Sequence, residues 1–320
     1  VDERAIGVVG AGLMGVGIAV QLARHGHAVI LVENDAPSRE RVAARAGEIL
    51  DELAAAGRLV DEERTCVLAR IETVAELEPL APVGLVIEAI PERLALKHAL
   101  YRRLEEILAD DAVIASNTSG FTPESLAEGM RHPERLLIAH FWNPPHFITL
   151  VELVPGEATR REYLADVERL LAGAGLEPVA LSKAIPGFVG NRLQFAVLRE
   201  ALAIVAAGAA SPEQVDQVMK SSLGRRYAML GPFEAADQGG LDTFLDISRH
   251  LMPCLACDQA ALTLLEARVE RGELGARLGQ GFYRWDQHRR DALTRARQAA
   301  LARDGVASGM KERTEEGERR

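Results

Sequence analysis

Several absences bound what this sequence can be. No apolar run approaches the length needed to cross a bilayer, so a membrane-spanning role is not expected. A glycine-rich turn begins at residue 10, so no secretory signal is expected. Only three cysteines occur, Cys66, Cys254 and Cys257, too few for a secreted disulfide scaffold. Cys254 and Cys257 form a CxxC with His250 one turn earlier, but no second cysteine pair completes a zinc set. They read as buried helical cysteines, and no metal is expected. Aromatic residues are 4% of the chain and the net charge is -10, so a stacking-and-basic nucleic-acid platform is not expected either. A cytoplasmic protein acting on a small molecule is the expectation. Apolar residues make up 48% of the chain and charged residues 26%, a globular balance over 320 residues that suits two domains.

What is present alternates. AIGVVG at 5–10, AVILVE at 28–33, APVGLVIEAI at 81–90, AVIASNTS at 112–119, LLIAHFW at 136–142 and ITLVELV at 148–154 read as strands, with a short one, EPVAL, at 177–181. Helical patterns separate them over 17–26, 38–57, 92–109 and 162–175. Nearly continuous apolar strands between helices predict an α/β domain whose sheet is covered on both faces. Past KAIPG at 183–187 the texture becomes helical, starting with GNRLQFAVLREALAIVAAGAA at 190–210. SPEQ at 211–214 is a helix start: Ser211 caps, Pro212 suits the first turn and Gln214 completes a capping box. The expected organisation is an α/β domain over 1–185, an all-helical domain over 186–290 and a charged extension over 291–320. One surface helix is expected across 289–303.

GAGLMG at 10–15 matches GxGxxG, and here a strand precedes it and a helix follows. Gly10 permits the tight turn, Gly12 removes a side chain that would block a pyrophosphate, and Gly15 lets helix and strand approach. The helix start, at Leu13 and Met14, offers free backbone N–H groups to an anion. Glu33 ends the next strand, where a carboxylate accepts from adenine-ribose hydroxyls and repels the extra phosphate of NADP. NAD is therefore the expected cofactor, and the α/β domain over 1–185 is expected to be a Rossmann-type NAD-binding domain.

A nicotinamide enzyme that oxidises an alcohol needs a base for the hydroxyl proton. HFWNPPHFITLVE at 140–152 offers a histidine at one end and a glutamate at the other. Histidine titrates near neutrality, and a carboxylate on its second nitrogen fixes the tautomer and stabilises the imidazolium. His140 and Glu152 form such a pair if their strands lie side by side. His146, between Pro145 and Phe147 in a turn, is the rival base.

These segments together resemble the L-3-hydroxyacyl-CoA dehydrogenase family. The marks are GAGLMG, SNTSG at 116–120, HFWNPPHFITLVE, PGFVGNRL at 186–193, GPFEAADQGGLD at 231–242 and LGQGFYRW at 278–285, spanning residues 5 to 286. The resemblance implies that His140 is the catalytic histidine and Glu152 its carboxylate partner. It implies that Ser119 bonds the reacting oxygen, that Asn191 lies near the substrate oxygens, and that Asn143 sits in a turn beside the pocket. It also implies a homodimer through the helical domain, and fatty acid metabolism as the setting.

The acyl-CoA members carry a lysine-rich helical stretch that receives the nucleotide end of CoA. The matching segment here, 38–59, has no lysine and keeps Arg39, Arg41, Arg45 and Arg58 among several acids. Gly120 replaces the second serine of NTSS. NPPHFITLVELVPG at 143–156 and LGRRYAMLGPFE at 223–234 are closer to members acting on small carboxylated alcohols, the L-gulonate dehydrogenases (lambda-crystallin) and a vitamin B6-degradation dehydrogenase. In that case Arg225 or Arg226 meets a free carboxylate. The expected substrate is an L-3-hydroxyacyl-CoA, with a small hydroxy acid as the alternative. A non-catalytic NAD-binding structural protein is the reading from a different class.

Overall fold

The computed structural model describes residues 4–257, 259–260 and 262–296, which form two compact units dividing at Val189/Gly190. In the first unit the chain runs β1 (Ile6–Val9), α1 (Leu13–Arg24), β2 (Val29–Val32), α2 (Ala36–Glu40), α3 (Val42–Ala55), α4 (Asp61–Ala69) and β3 (Ile71–Val74). It continues through β4 (Leu85–Glu88), α5 (Leu94–Ile107), β5 (Val113–Ser116), α6 (Pro123–Ala127), β6 (Leu136–Phe141), β7 (Leu150–Pro155), α7 (Arg161–Gly173) and β8 (Glu177–Ala180).

The eight strands make one sheet in the order β3-β2-β1-β4-β5-β6-β7-β8. Every pairing is parallel except β6 with β7. Alternate strand residues feed two cores. Ile6, Val8, Leu31, Ile87 and Ala139 pack with α1 and α3 on one face, while Val86, Ile114 and Ile138 pack with Tyr101 and Leu104 of α5 on the other. Burial on both faces is why the central strands read as unbroken apolar runs. The strand order reverses between β1 and β4, and that crevice is where doubly wound sheets hold ligands.

Several elements depart from the sequence reading, among them α6, which it did not include. The helical stretch at 38–57 is broken at Arg41, which ends α2 and starts α3. Strand β3, IETV, and helix α4 before it were not anticipated: β3 is an edge strand with Glu72 exposed and its neighbours half-buried, so it lacks an apolar run.

The second unit contains α8 (Gly190–Ala206), α9 (Pro212–Ser221), α10 (Leu223–Tyr227), α11 (Pro232–Gly239), α12 (Leu241–Leu251) and α13 (Leu262–Glu270). The capping box forms as read. Ser211 Oγ accepts from Gln214 N at 3.3 Å, and Gln214 Oε1 accepts from Ser211 N at 2.9 Å. The cysteine expectation is overturned. Cys254 and Cys257 are exposed, because α12 stops at Leu251 and Pro253 turns the chain into a 3-10 turn over Met252–Cys254. A further helical segment occupies 287–296, and the rest of the surface helix expected to 303 lies outside the described residues.

Candidate active site

The glycine loop leaves the end of β1 at the sheet's reversal point. Gly10 has φ +102°, and a Cβ there would stand 2.8 Å from the carbonyl oxygen of Ala89, the residue that follows β4. A Cβ on Gly15 would lie 1.7 Å from the oxygen of Gly10, so only glycine lets α1 start this close to β1. Above Gly12 there is open space within 4 Å. Gly12 has no side chain to cap α1, and helix geometry leaves the amides of Leu13 and Met14 without intrahelical acceptors. Glu33 spans the loop: Oε2 accepts from Ala11 N at 2.9 Å and Oε1 from Asp35 N at 3.0 Å. Each oxygen retains acceptor capacity. These groups line a cleft of about 900 Å3 that also includes Ser38, Arg41 and Arg45. The open cradle, free amides and carboxylate fit a dinucleotide's pyrophosphate and ribose.

Antiparallel β6 and β7 place His140 directly opposite Glu152. Both are buried, and His140 Nδ1 lies 3.0 Å from Glu152 Oε2. The other glutamate oxygen accepts from Val189 N at 2.9 Å. An ionised carboxylate only accepts, so it sets the neutral imidazole with its proton on Nδ1 and a lone pair on Nε2. Ser119, in the turn after β5, brings Oγ to 3.1 Å from Nε2. Trp142 and Phe188 stand beside the imidazole, with ring centroids 5.4 and 5.5 Å away. Asn117 Oδ1 accepts from Phe141 N at 2.9 Å and ties the end of β5 to β6.

The rival, His146, lies in the turn after Asn143–Pro144, whose peptide bond is cis. Its Nε2 is 3.1 Å from Glu52 Oε2, a carboxylate half in solvent. The same turn packs on α1, where a Cβ on Gly17 would stand 2.6 Å from Pro145 Cγ. Asn143 is exposed. Thus the first unit brings together Ser119, His140 and Glu152, and separately Gly10, Gly12, Leu13, Met14, Gly15 and Glu33. Asn191 lies in the first turn of α8, and Arg225 and Arg226 lie exposed on α10, all in the second unit.

One cluster had escaped the sequence reading. Glu88, fully buried at the end of β4, accepts from Lys97 Nζ at 2.7 Å, Tyr101 OH at 2.6 Å, Ser116 Oγ at 2.7 Å and Ile90 N at 2.9 Å. Burial, and then the charge of Glu88, push the Tyr101 hydroxyl far above its ordinary titration range. Its signal in the sequence was an acid inside the apolar run LVIEAI, which only a buried partner makes tolerable.

A largely parallel sheet with this cradle and this His–carboxylate pair defines a dinucleotide-dependent oxidoreductase. Comparison with known proteins makes the class specific. The sequence profile described as 3-hydroxyacyl-CoA dehydrogenase, NAD binding domain, matches residues 5–185, and that of the family's C-terminal domain matches 187–285. The chain is 30% identical over 304 residues to a 5-formyl-3-hydroxy-2-methylpyridine 4-carboxylate 5-dehydrogenase of Mesorhizobium japonicum, covering 95% of this chain and 96% of the relative. It is 36% identical over 280 residues to a probable 3-hydroxybutyryl-CoA dehydrogenase of Deinococcus radiodurans, covering 87% and 99%. Among solved structures, a 5-formyl-3-hydroxy-2-methylpyridine 4-carboxylic acid 5-dehydrogenase superposes with TM-score 0.86 at 29% identity, covering 93% of this chain and 96% of that one. The chain belongs to the 3-hydroxyacyl-CoA dehydrogenase family, and its first domain is that family's NAD-binding domain.

Proposed function

We propose that the protein moves hydride reversibly between NAD and the 3-hydroxy or 3-keto carbon of an L-3-hydroxyacyl-CoA, with His140 as base in oxidation and acid in reduction. The observation that carries this reading is the line Ser119 Oγ, His140 Nε2, His140 Nδ1, Glu152 Oε2, with steps of 3.1 and 3.0 Å across a buried strand pair. Gly10, Gly12, Leu13, Met14, Gly15 and Glu33 would hold NAD, which when bound would accept or donate the hydride. In oxidation the substrate C–H bond breaks with its electron pair, the hydroxyl proton passes to His140 Nε2, and a C=O bond forms. Ser119 and His140 grip the reacting oxygen. Glu152 holds the Nδ1 proton and offsets the positive charge that His140 acquires. Asn191 is proposed to polarise the carbonyl two carbons away, and Asn143 to border the pocket. Removing one such fixed donor costs about 3 kcal/mol of transition-state stabilisation.

A second reading, a small free hydroxy acid or carboxylated alcohol, draws on the arginines of 38–59, which bond to the chain's own oxygens. Arg39 donates to the carbonyl of Glu33 at 2.9 Å, Arg41 to Ser38 Oγ at 3.1 Å, and Arg45 to the carbonyl of Ala11 at 3.3 Å. Arg58 donates to the carbonyl of Phe147 at 3.5 Å and lies over its ring. On this reading Arg225 and Arg226 meet the carboxylate. The relative acting on a pyridine carboxylate, by its name, supports it.

NADH consumption with acetoacetyl-CoA and, separately, free acetoacetate tests the two. Turnover of the CoA ester alone supports the first reading, whose setting is fatty acid metabolism. Turnover of the free acid, or of neither, moves the substrate to a small carboxylated alcohol. Bound NADH without turnover on any hydroxy acid identifies a non-catalytic structural protein.

A homodimer through the second unit belongs to the same proposal. Phe195, Val218, Phe233, Phe244 and Ile247 are exposed there, a density of apolar surface that in other proteins marks an interface. No described helix is long and apolar enough to cross a membrane. The three cysteines are free and exposed, which suits a reducing cytoplasm.

A further inference from the structure

Ser119 lies beyond the last hydrogen-bonded residue of β5, so the sheet does not hold it in place. Besides the contact with His140, a carboxylate does. Glu92 Oε1 accepts from the amides of Ser119 and Gly120, each at 3.2 Å, and from the Thr118 hydroxyl. Thr118 Oγ1 in turn accepts from Gly120 N at 3.3 Å and Phe121 N at 3.1 Å, so one anion organises the whole turn. Glu92 is itself anchored: Oε2 lies 3.2 Å from Lys97 Nζ. Lys97 is 1% exposed and is bound at 2.7 Å to Glu88, whose other three donors leave it no freedom to move.

We propose that Glu92 is a positioning residue for the reaction, anchored through Lys97 to Glu88, and that it fixes the Thr118–Gly120 turn so that Ser119 Oγ stands against His140 Nε2. On this proposal Glu92 acts through Ser119. The inference rests on the role given to Ser119 above. A shift of about an ångström in such a group is enough to lower turnover on the order of a hundredfold.

The test is a double-mutant cycle on kcat at saturating NADH, using whichever of acetoacetyl-CoA and acetoacetate the protein turns over. Lys97 keeps its ion pair with Glu88 at 2.7 Å, so Glu92→Ala leaves no unpaired buried charge behind. The expected result is a fall of roughly tenfold or more in the wild-type background and less than about threefold in the Ser119→Ala background, because contacting groups that act as one unit are not additive. An equal fall in both backgrounds, or no fall in the first, overturns the proposal. Retention of full turnover by Ser119→Ala sinks the role of Ser119 instead. In that case, and if neither substrate is consumed, amide hydrogen exchange decides. Exchange at Ser119 and Gly120 that is at least tenfold faster in Glu92→Ala sustains the positioning role, and unchanged exchange overturns it.

Discussion

Between Ile6 and Phe188, apolar side chains fill two continuous clusters at close to zero exposure, while from Gly190 to Thr294 only Leu202 and Ala235 among the described hydrophobic residues are buried. The first unit therefore carries its own core. The second has well-formed helices, with a complete capping box on α9, but in the single chain their apolar faces lie open. Local signals are enough to start and stop a helix, whereas stability in water comes from covering its apolar side. The contrast teaches that the first unit is closed around its own core, whereas the second leaves apolar helix faces exposed, the surface that the proposed dimer would cover.

The sharpest way to break this contrast lies in the buried pair. Glu152→Ala should lower kcat by on the order of 10³-fold, since a histidine without its orienting carboxylate loses tautomer and charge support. A loss below about tenfold would mean the pair is structural. Next in size is Gly15→Ala, whose new Cβ meets the Gly10 oxygen at 1.7 Å. About 3 kcal/mol of stability in the first unit and NADH binding should go together, read by calorimetry with and without NADH. Unaltered NADH affinity would mean the loop is not the cradle. Phe233, 86% exposed on α11, tests the second unit. Phe233→Asp should weaken self-association at least about tenfold in sedimentation, roughly 1.4 kcal/mol, with little change in the first unit's own melting. A monomeric wild type would remove the proposed dimer altogether. The smallest effect is Ser211→Ala, which should destabilise the second unit by about 1 kcal/mol through loss of the α9 cap and leave turnover intact.

The same contrast governs what could be read from the sequence. Strands β1, β2, β4, β5 and β6 announced themselves because both faces are buried, and the glycine loop because its residues are contiguous. Edge strand β3 could not, since Glu72 faces solvent and breaks the apolar run. The His140–Glu152 pair was legible only as a condition, because the register of β6 against β7 is decided by tertiary pairing. Glu92 was not legible at all. In PERLALK it looks like an ordinary acid near a helix start, and the three donors to its Oε1 arrive from a turn more than twenty residues away in sequence. Cys254 and Cys257 misled because Pro253 ended the helix that was expected to bury them.

The central claim is that His140 Nε2 exchanges a proton with the reacting oxygen. The most direct test measures kcat and NADH affinity of His140→Ala on whichever substrate the wild type turns over. The account predicts a loss of roughly 10³-fold or more in kcat with NADH affinity unchanged. Normal NADH binding with near-full turnover would contradict it.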